Sequence, residues 1–260
     1  MSEWVSRRTR LVALVGVLAV ALVYVATLLL PDPAKTAVSD LGEFAIVLGA
    51  AVVALRTVGR LTPGEPLRSR WTLIAFGVGL FAAGDAVWSV LEVFLGQNPF
   101  PSVADPFYLA VYPVLGAGLI AAALAFRQFA NVRRIVLISA IITVALAAVL
   151  YVGFLRAVLA DTETTGLARA LSLAYPIGDI LLLFAPALFA ALAVRSLGTG
   201  RLAVPWWAVT LGVALLAVAD AAFCWLDFQG LYQSGNIIDV GWMLGYLSIA
   251  VGASLTRDLM

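Results

Sequence analysis

Histidine is absent from this sequence, cysteine and lysine occur once each, and charged residues make up only 12% of its 260 positions. Without histidine there is no histidine-ligated haem, no His-bound zinc and no Ser-His hydrolase arrangement. The single cysteine, Cys224, lies inside an apolar run, so no disulfide closes within the chain. The single lysine, Lys35, falls between apolar runs and leaves a buried retinal Schiff base no residue to form on. No cofactor or metal is expected. A soluble domain of this size would need roughly 25% charged residues to cover its surface. The net charge of +1 gives no case for a nucleic-acid partner.

Apolar residues fill the gap. They make up 63% of the chain, and the mean hydropathy is +1.05. Apolar segments fall at about 11–30, 41–57, 71–96, 105–126, 135–159, 171–194, 205–228 and 238–256. Runs near 20 residues are long enough to cross a bilayer. The expected fold is therefore all-α, a single domain over residues 1–260 with eight transmembrane helices and the lipid bilayer as its surroundings. The stretch after Arg7, Arg8 and Arg10 is too long for a signal peptide and reads as a retained first helix. Pro113, Pro176 and Pro186 fall within spans and predict kinks or interruptions, and Pro205 is expected in the first turn of helix seven.

Arginine fixes the expected orientation. Arg7, Arg8, Arg10, Arg56, Arg60, Arg68, Arg70, Arg127, Arg133, Arg134, Arg195, Arg201 and Arg257, 13 of the 16 basic residues, share one side of an eight-span chain. Only Lys35, Arg156 and Arg169 fall on the other. The positive-inside rule then puts both termini in the cytoplasm, in a multi-pass protein of the cell membrane.

The chain also repeats itself. Asp85, Trp88 and Glu92 match Asp220, Phe223 and Asp227, and Asp105, Tyr108 and Tyr112 match Asp239, Trp242 and Tyr246. All four triplets have i, i+3, i+7 spacing, which places each on one helical face. Two parallel four-helix pseudo-repeats, about 10–130 and 131–256, are expected. Asp40 and Glu43 only loosely echo Tyr175 and Asp179.

The acids gather toward the external half. Asp85 is 14 residues from Trp71, about 21 Å into a core of about 30 Å. A carboxylate at such depth costs about 2.5–3.5 kcal/mol on insertion scales, so several at matched depth call for a reason. The candidate ligand-binding set is Asp85, Trp88, Glu92, Asp105, Tyr108, Tyr112, Tyr175, Asp179, Asp220, Asp239, Trp242 and Tyr246. Carboxyls with aromatic walls suit a small polar or cationic ligand, or a lipid headgroup. Other roles fit the same residues. Asp105 before Pro106 has the form of a helix cap, and Asp239 sits where a helix dipole favours acid. Asp85 and Asp220 could tie helices together through Ser89 or a tyrosine hydroxyl, and the outer aromatics could form an interfacial belt. Gly84, Gly116, Gly118, Gly241 and Gly245 read as close helix packing.

The run GDAVWSVLEVFLGQNPFPSVADPFYLAVYPVLGAGL, Gly84 to Leu119, resembles the multi-pass N-terminal membrane sensory region of some diguanylate cyclases (GGDEF/EAL proteins) and sensor kinases. So do AYPIGDILLL, Ala174 to Leu183, and the stretch from Ala219 through Tyr246. The resemblance implies a sensor that relays a signal to cytoplasmic partners. Only Asp258, Leu259 and Met260 follow Arg257, so the output domain of that pattern is not expected here, nor its cyclase or kinase activity. Gly84-Asp85 and Ala219-Asp220 also resemble the paired intramembrane aspartates of the lysoplasmalogenase family. That likeness implies a lipid hydrolase in which Asp85 and Asp220 activate a water as acid and base. A proton-coupled transporter is the third expectation, weakened because its acids should lie near the midplane.

Overall fold

The computed structural model describes residues 4–97, 100–126, 131–160, 166–196 and 200–260, with the side chains of Phe126 and Phe154 left out. Arg127, expected in a loop, lies outside the described residues. These form long helices and no strand: α1 (Arg7–Leu29), α2 (Ala34–Val58), α3 (Pro66–Phe94), α4 (Asp105–Phe126), α5 (Val132–Leu150, continued through Tyr151–Leu155 to Arg156–Ala160), α6 (Gly166–Arg195), α7 (Gly200–Phe228) and α8 (Asp239–Asp258). Seven of them, α1 to α7, are long and apolar enough to cross a membrane. Their outward side chains are apolar: Leu22 is 71% exposed, Val144 66% and Leu181 59%. In water such a surface would drive aggregation; a lipid bilayer is its natural surroundings.

α8 falls short of the apolarity of the others. It packs against α1, α2 and α7, and its polar residues turn inward. Ser254 shares a 2.7 Å hydrogen bond with Thr9, Thr256 bonds the carbonyl of Gly252, and the Ala253 carbonyl accepts from Thr57 at 3.0 Å. Asp258 accepts from the Ser6 amide, tying the two ends of the chain together.

Prolines shape α6. Pro186 cannot donate to the carbonyl of Leu182, and its ring crowds that turn. The helix answers by widening into a π-helical segment, Asp179–Phe184, between Pro176 and Pro186. α4 meets the spare carbonyl with Gly116, whose missing Cβ would lie 3.0 Å from the Leu182 oxygen. Pro113 is accommodated inside α4. Pro205 departs from expectation. α7 begins at Gly200, so Pro205 lies inside the helix rather than in its first turn. Sequence marks Pro as a natural helix start, but Arg201, Leu202 and Ala203, good helix formers, precede it and continue the helix backward.

Close backbone approach holds α3 to α4 and α7 to α8. A Cβ on Gly118 would come within 3.0 Å of the Arg70 carbonyl and of Ile74, and one on Gly252 within 2.8 Å of the Pro205 carbonyl and 2.9 Å of Val209. Deep in the bundle Trp71 and Trp206, both buried, face each other with ring centroids 6.0 Å apart. Beyond them, Arg7, Arg8, Arg60 and Arg257 surround an open depression at that end of the bundle. Asp258 shares that end with them, and the candidate acids lie at the other.

Candidate functional site

At the end away from the arginines, the starts of α2, α4 and α8 meet the ends of α3 and α7. They enclose a cavity of about 80 Å³, lined among others by Asp40, Glu43, Asp85, Asp105 and Asp220. That volume holds several waters or one small ligand. Phe81, Trp88, Tyr108, Trp242 and Tyr246 supply its aromatic walls. Phe223 stands at the centre of a ring cluster, 4.7 Å from Tyr232, 5.2 Å from Phe100 and 5.8 Å from Trp242. Phe100 and Tyr232 come from loops and line the cavity as well.

Several of the carboxyls are held by neighbouring helices or loops. The Tyr108 hydroxyl donates to Asp85 Oδ1 at 2.9 Å, with its ring laid over the bare backbone of Gly84. In the same manner Trp242 Nε1 donates to Asp220 Oδ1 at 2.5 Å. Tyr112 donates to Asp179 Oδ1 at 3.1 Å and to the Tyr175 carbonyl at 3.1 Å. Tyr175 in turn donates to Asp105 Oδ1. Asp239 accepts from Ser39 at 2.8 Å, from the Gly235 amide at 2.7 Å and from Tyr232 at 3.3 Å. Burial and the nearby Asp239 carboxyl hold the Tyr232 phenol well above its ordinary range, so it stays a neutral donor. Glu92 accepts from Trp88 at 2.7 Å and from Ser234 at 2.9 Å.

Not every polar atom is matched. Asp40 Oδ2, Asp85 Oδ2 and Ser89 Oγ have no hydrogen-bond partner, and all three residues line the cavity while being only 7%, 6% and 3% exposed. Glu43 has no hydrogen-bond partner among the described residues either. It and Asp220, enclosed by protein, keep accessible surface because they face the cavity. A buried polar group left unpaired costs about 1–3 kcal/mol, more when charged. Among the described residues no arginine or lysine pairs with any of these acids. Arg156 makes no such pair, and Arg169 donates to the carbonyls of Val158 and Leu159 instead.

The chain matches no family model, no curated protein and no solved structure.

Of the twelve candidate residues, nine line the cavity: Asp85, Trp88, Asp105, Tyr108, Tyr112, Tyr175, Asp220, Trp242 and Tyr246. Glu92, Asp179 and Asp239 do not; each stands one layer behind, bonded to a lining residue. Asp227, matched to Glu92 in the sequence, stays away from the cavity. Asp105 opens α4 rather than capping it from outside: its Oδ2 accepts from the Ser102 amide in the preceding turn at 2.5 Å, while Ser102 Oγ accepts from the Ala104 amide. Sequence reasoning left Asp40, Glu43, Phe81, Ser89, Phe100, Phe223 and Tyr232 out of the site. The i, i+3 spacing of Asp40 and Glu43 was a usable signal, since it sets both on one face of α2. Phe100 and Tyr232 gave none, because loop residues have no periodicity to read.

Proposed function

We propose that this protein binds a small organic cation in the acidic, aromatic cavity, as the sensing module of a membrane signalling system. One observation carries the reading. Three buried polar atoms without partners, Asp40 Oδ2, Asp85 Oδ2 and Ser89 Oγ, lie on residues lining one cavity, and among the described residues no arginine or lysine pairs with the carboxyls there. A cation would satisfy them electrostatically, and the Trp88, Trp242 and Tyr246 faces add cation–π attraction of about 0.5–2 kcal/mol each. Among the described residues no acid cluster has the arrangement of a metal site, which favours an organic cation such as an amine. A relay to partners at the arginine end follows from the resemblance to sensory regions.

In this reading the chain crosses the bilayer eight times, α8 included. A helix enclosed by α1, α2 and α7 needs little apolar surface of its own. Two parallel halves are supported by contacts that recur at offsets of 134 or 135 residues. Tyr108 to Asp85 recurs as Trp242 to Asp220 (108 + 134 and 85 + 135). Gly118 against Arg70 and Ile74 recurs as Gly252 against Pro205 and Val209. Trp71 and Trp206, 135 apart, meet each other, as residues near a two-fold axis would.

The binding test uses purified protein in detergent, with tetramethylammonium and ethylammonium as probes and tert-butanol as a neutral control. The cations should raise the melting temperature and perturb tryptophan fluorescence, and tert-butanol should do neither. Equal effects from the neutral alcohol would remove the case for a cation. Orientation has its own test. Cys224 is buried, so cysteines introduced at Pro31 or Gln233 should label from outside intact cells, and one at Gly64 should not. External labelling at Gly64 would turn the cavity toward the cytoplasm.

The lipid hydrolase remains the second reading, favoured by Asp85 and Asp220 facing one cavity. It requires both carboxyls to reach a single water, and turnover of a lysolipid by the purified protein would replace the binding proposal.

A further inference from the structure

Behind the cavity, Asp179 and Asp220 stand within hydrogen-bonding reach of each other, carboxyl to carboxyl. Asp179 is fully buried. Its Oδ1 takes the Tyr112 hydroxyl, and its Oδ2 has no donor from any side chain or backbone amide. Asp220 has Trp242 on Oδ1 and also faces the cavity. Two ionised carboxylates offer only lone pairs to each other. In contact, away from water, they repel without compensation, and like charges so placed cannot both ionise. One proton between them turns the clash into a hydrogen bond and gives Asp179 Oδ2 its missing partner, as the donor.

The surroundings supply no alternative counter-charge. α4 presents Tyr112, α6 itself Tyr175, α7 Cys224 and α8 Tyr246, while α2 and α3 add the further acids Glu43 and Asp85. α5 contributes only Leu146, Ala147 and Leu150 where it packs against Ile180 and Ala221. Every titratable neighbour is neutral or acidic in its ordinary forms.

We propose that Asp179 and Asp220 share a single proton and form a proton-exchange site, so that a cation seated in the cavity against Asp220 expels it. The second half rests on the cation-binding reading above; the first does not. The O–H bond of the Asp179 carboxylic acid breaks, its electron pair stays on Oδ2, and the proton crosses to the Asp220 carboxylate, which faces the cavity and releases it to water there. One positive charge enters and one leaves, with no oxidation or reduction. Asp179 opens the π-helical segment of α6, a kind of helix interruption often found at functional sites.

Infrared spectroscopy of the purified protein without any cation tests the shared proton. The carbonyl stretch of a protonated carboxylic acid should be present at neutral pH, shift in heavy water, and lose intensity in both Asp179→Asn and Asp220→Asn. Its absence from the unmodified protein overturns the proposal whatever the variants do, as does a band undiminished in either variant that folds. The exchange is read separately, by adding tetramethylammonium to weakly buffered protein with a pH indicator. About one proton should appear per cation bound, and none with Asp179→Asn. Binding without proton release would overturn the exchange while leaving the cation site standing. A protonated-acid band with no cation binding would do the reverse, keeping the shared proton and removing the cation reading.

Discussion

Asp85→Asn and Glu43→Gln are each expected to weaken binding of tetramethylammonium by about 30-fold to several thousand-fold, the 2–5 kcal/mol that follows loss of one partner in a buried charge pair. Neither change should harm the empty protein. Tyr108 donates to Asp85 Oδ1, and an asparagine oxygen in that place accepts the same bond. Asp85 Oδ2 and the Glu43 carboxyl have no partner to lose. Removing a desolvated charge relieves a cost, so the melting temperature without ligand should hold or rise. Asp105→Asn makes the contrast. Its Oδ2 accepts the Ser102 amide, and an amide group there would set donor against donor, at the cost of that hydrogen bond, about 1 kcal/mol. Calorimetric titration and melting of the three variants separate the roles. A cation that stabilises Asp85→Asn and Glu43→Gln as much as the parent protein would show that it binds elsewhere.

The second large effect is on stability. Gly118→Ala and Gly252→Ala should each cost about 1–3 kcal/mol, because the new methyl meets a backbone carbonyl that cannot turn aside. The gaps are 3.0 Å to the Arg70 oxygen and 2.8 Å to the Pro205 oxygen. Gly212→Ala belongs to the same class, with the Gly245 oxygen 2.7 Å away. Gly79→Ala is the control, since nothing lies within 4 Å of its missing Cβ, and a helical alanine there should be neutral or gain about 0.5–1 kcal/mol. Unfolding in mixed micelles measures all four. Matched losses at Gly118 and Gly252 are expected if the two halves are equivalent. A neutral Gly252→Ala beside a damaging Gly118→Ala would break that equivalence.

Much of the architecture follows from residue order alone. Apolar runs near 20 residues leave the chain no soluble alternative, and the helices begin and end within a few residues of those runs. The i, i+3, i+7 triplets place Asp85, Asp105, Asp220 and their aromatic neighbours on helical faces, because a helix of 3.6 residues per turn permits nothing else. What periodicity cannot supply is the partner of each face. Tyr108 on Asp85 and Trp242 on Asp220 depend on how closely Gly84 and Gly241 let neighbouring helices approach. Loop residues carry no repeat, so only the tertiary fold brings Phe100 and Tyr232 over Phe223, and Ser234 to Glu92. Asp179 is the clearest case. Its sequence position marks an acid inside α6, whereas its contact with Asp220 depends on a π-helical widening between two prolines and on the packing of α6 against α7. Composition and spacing determined that this chain is a helical membrane protein with its acids gathered toward one end; packing across the helices decided which of those acids face the cavity and which face each other.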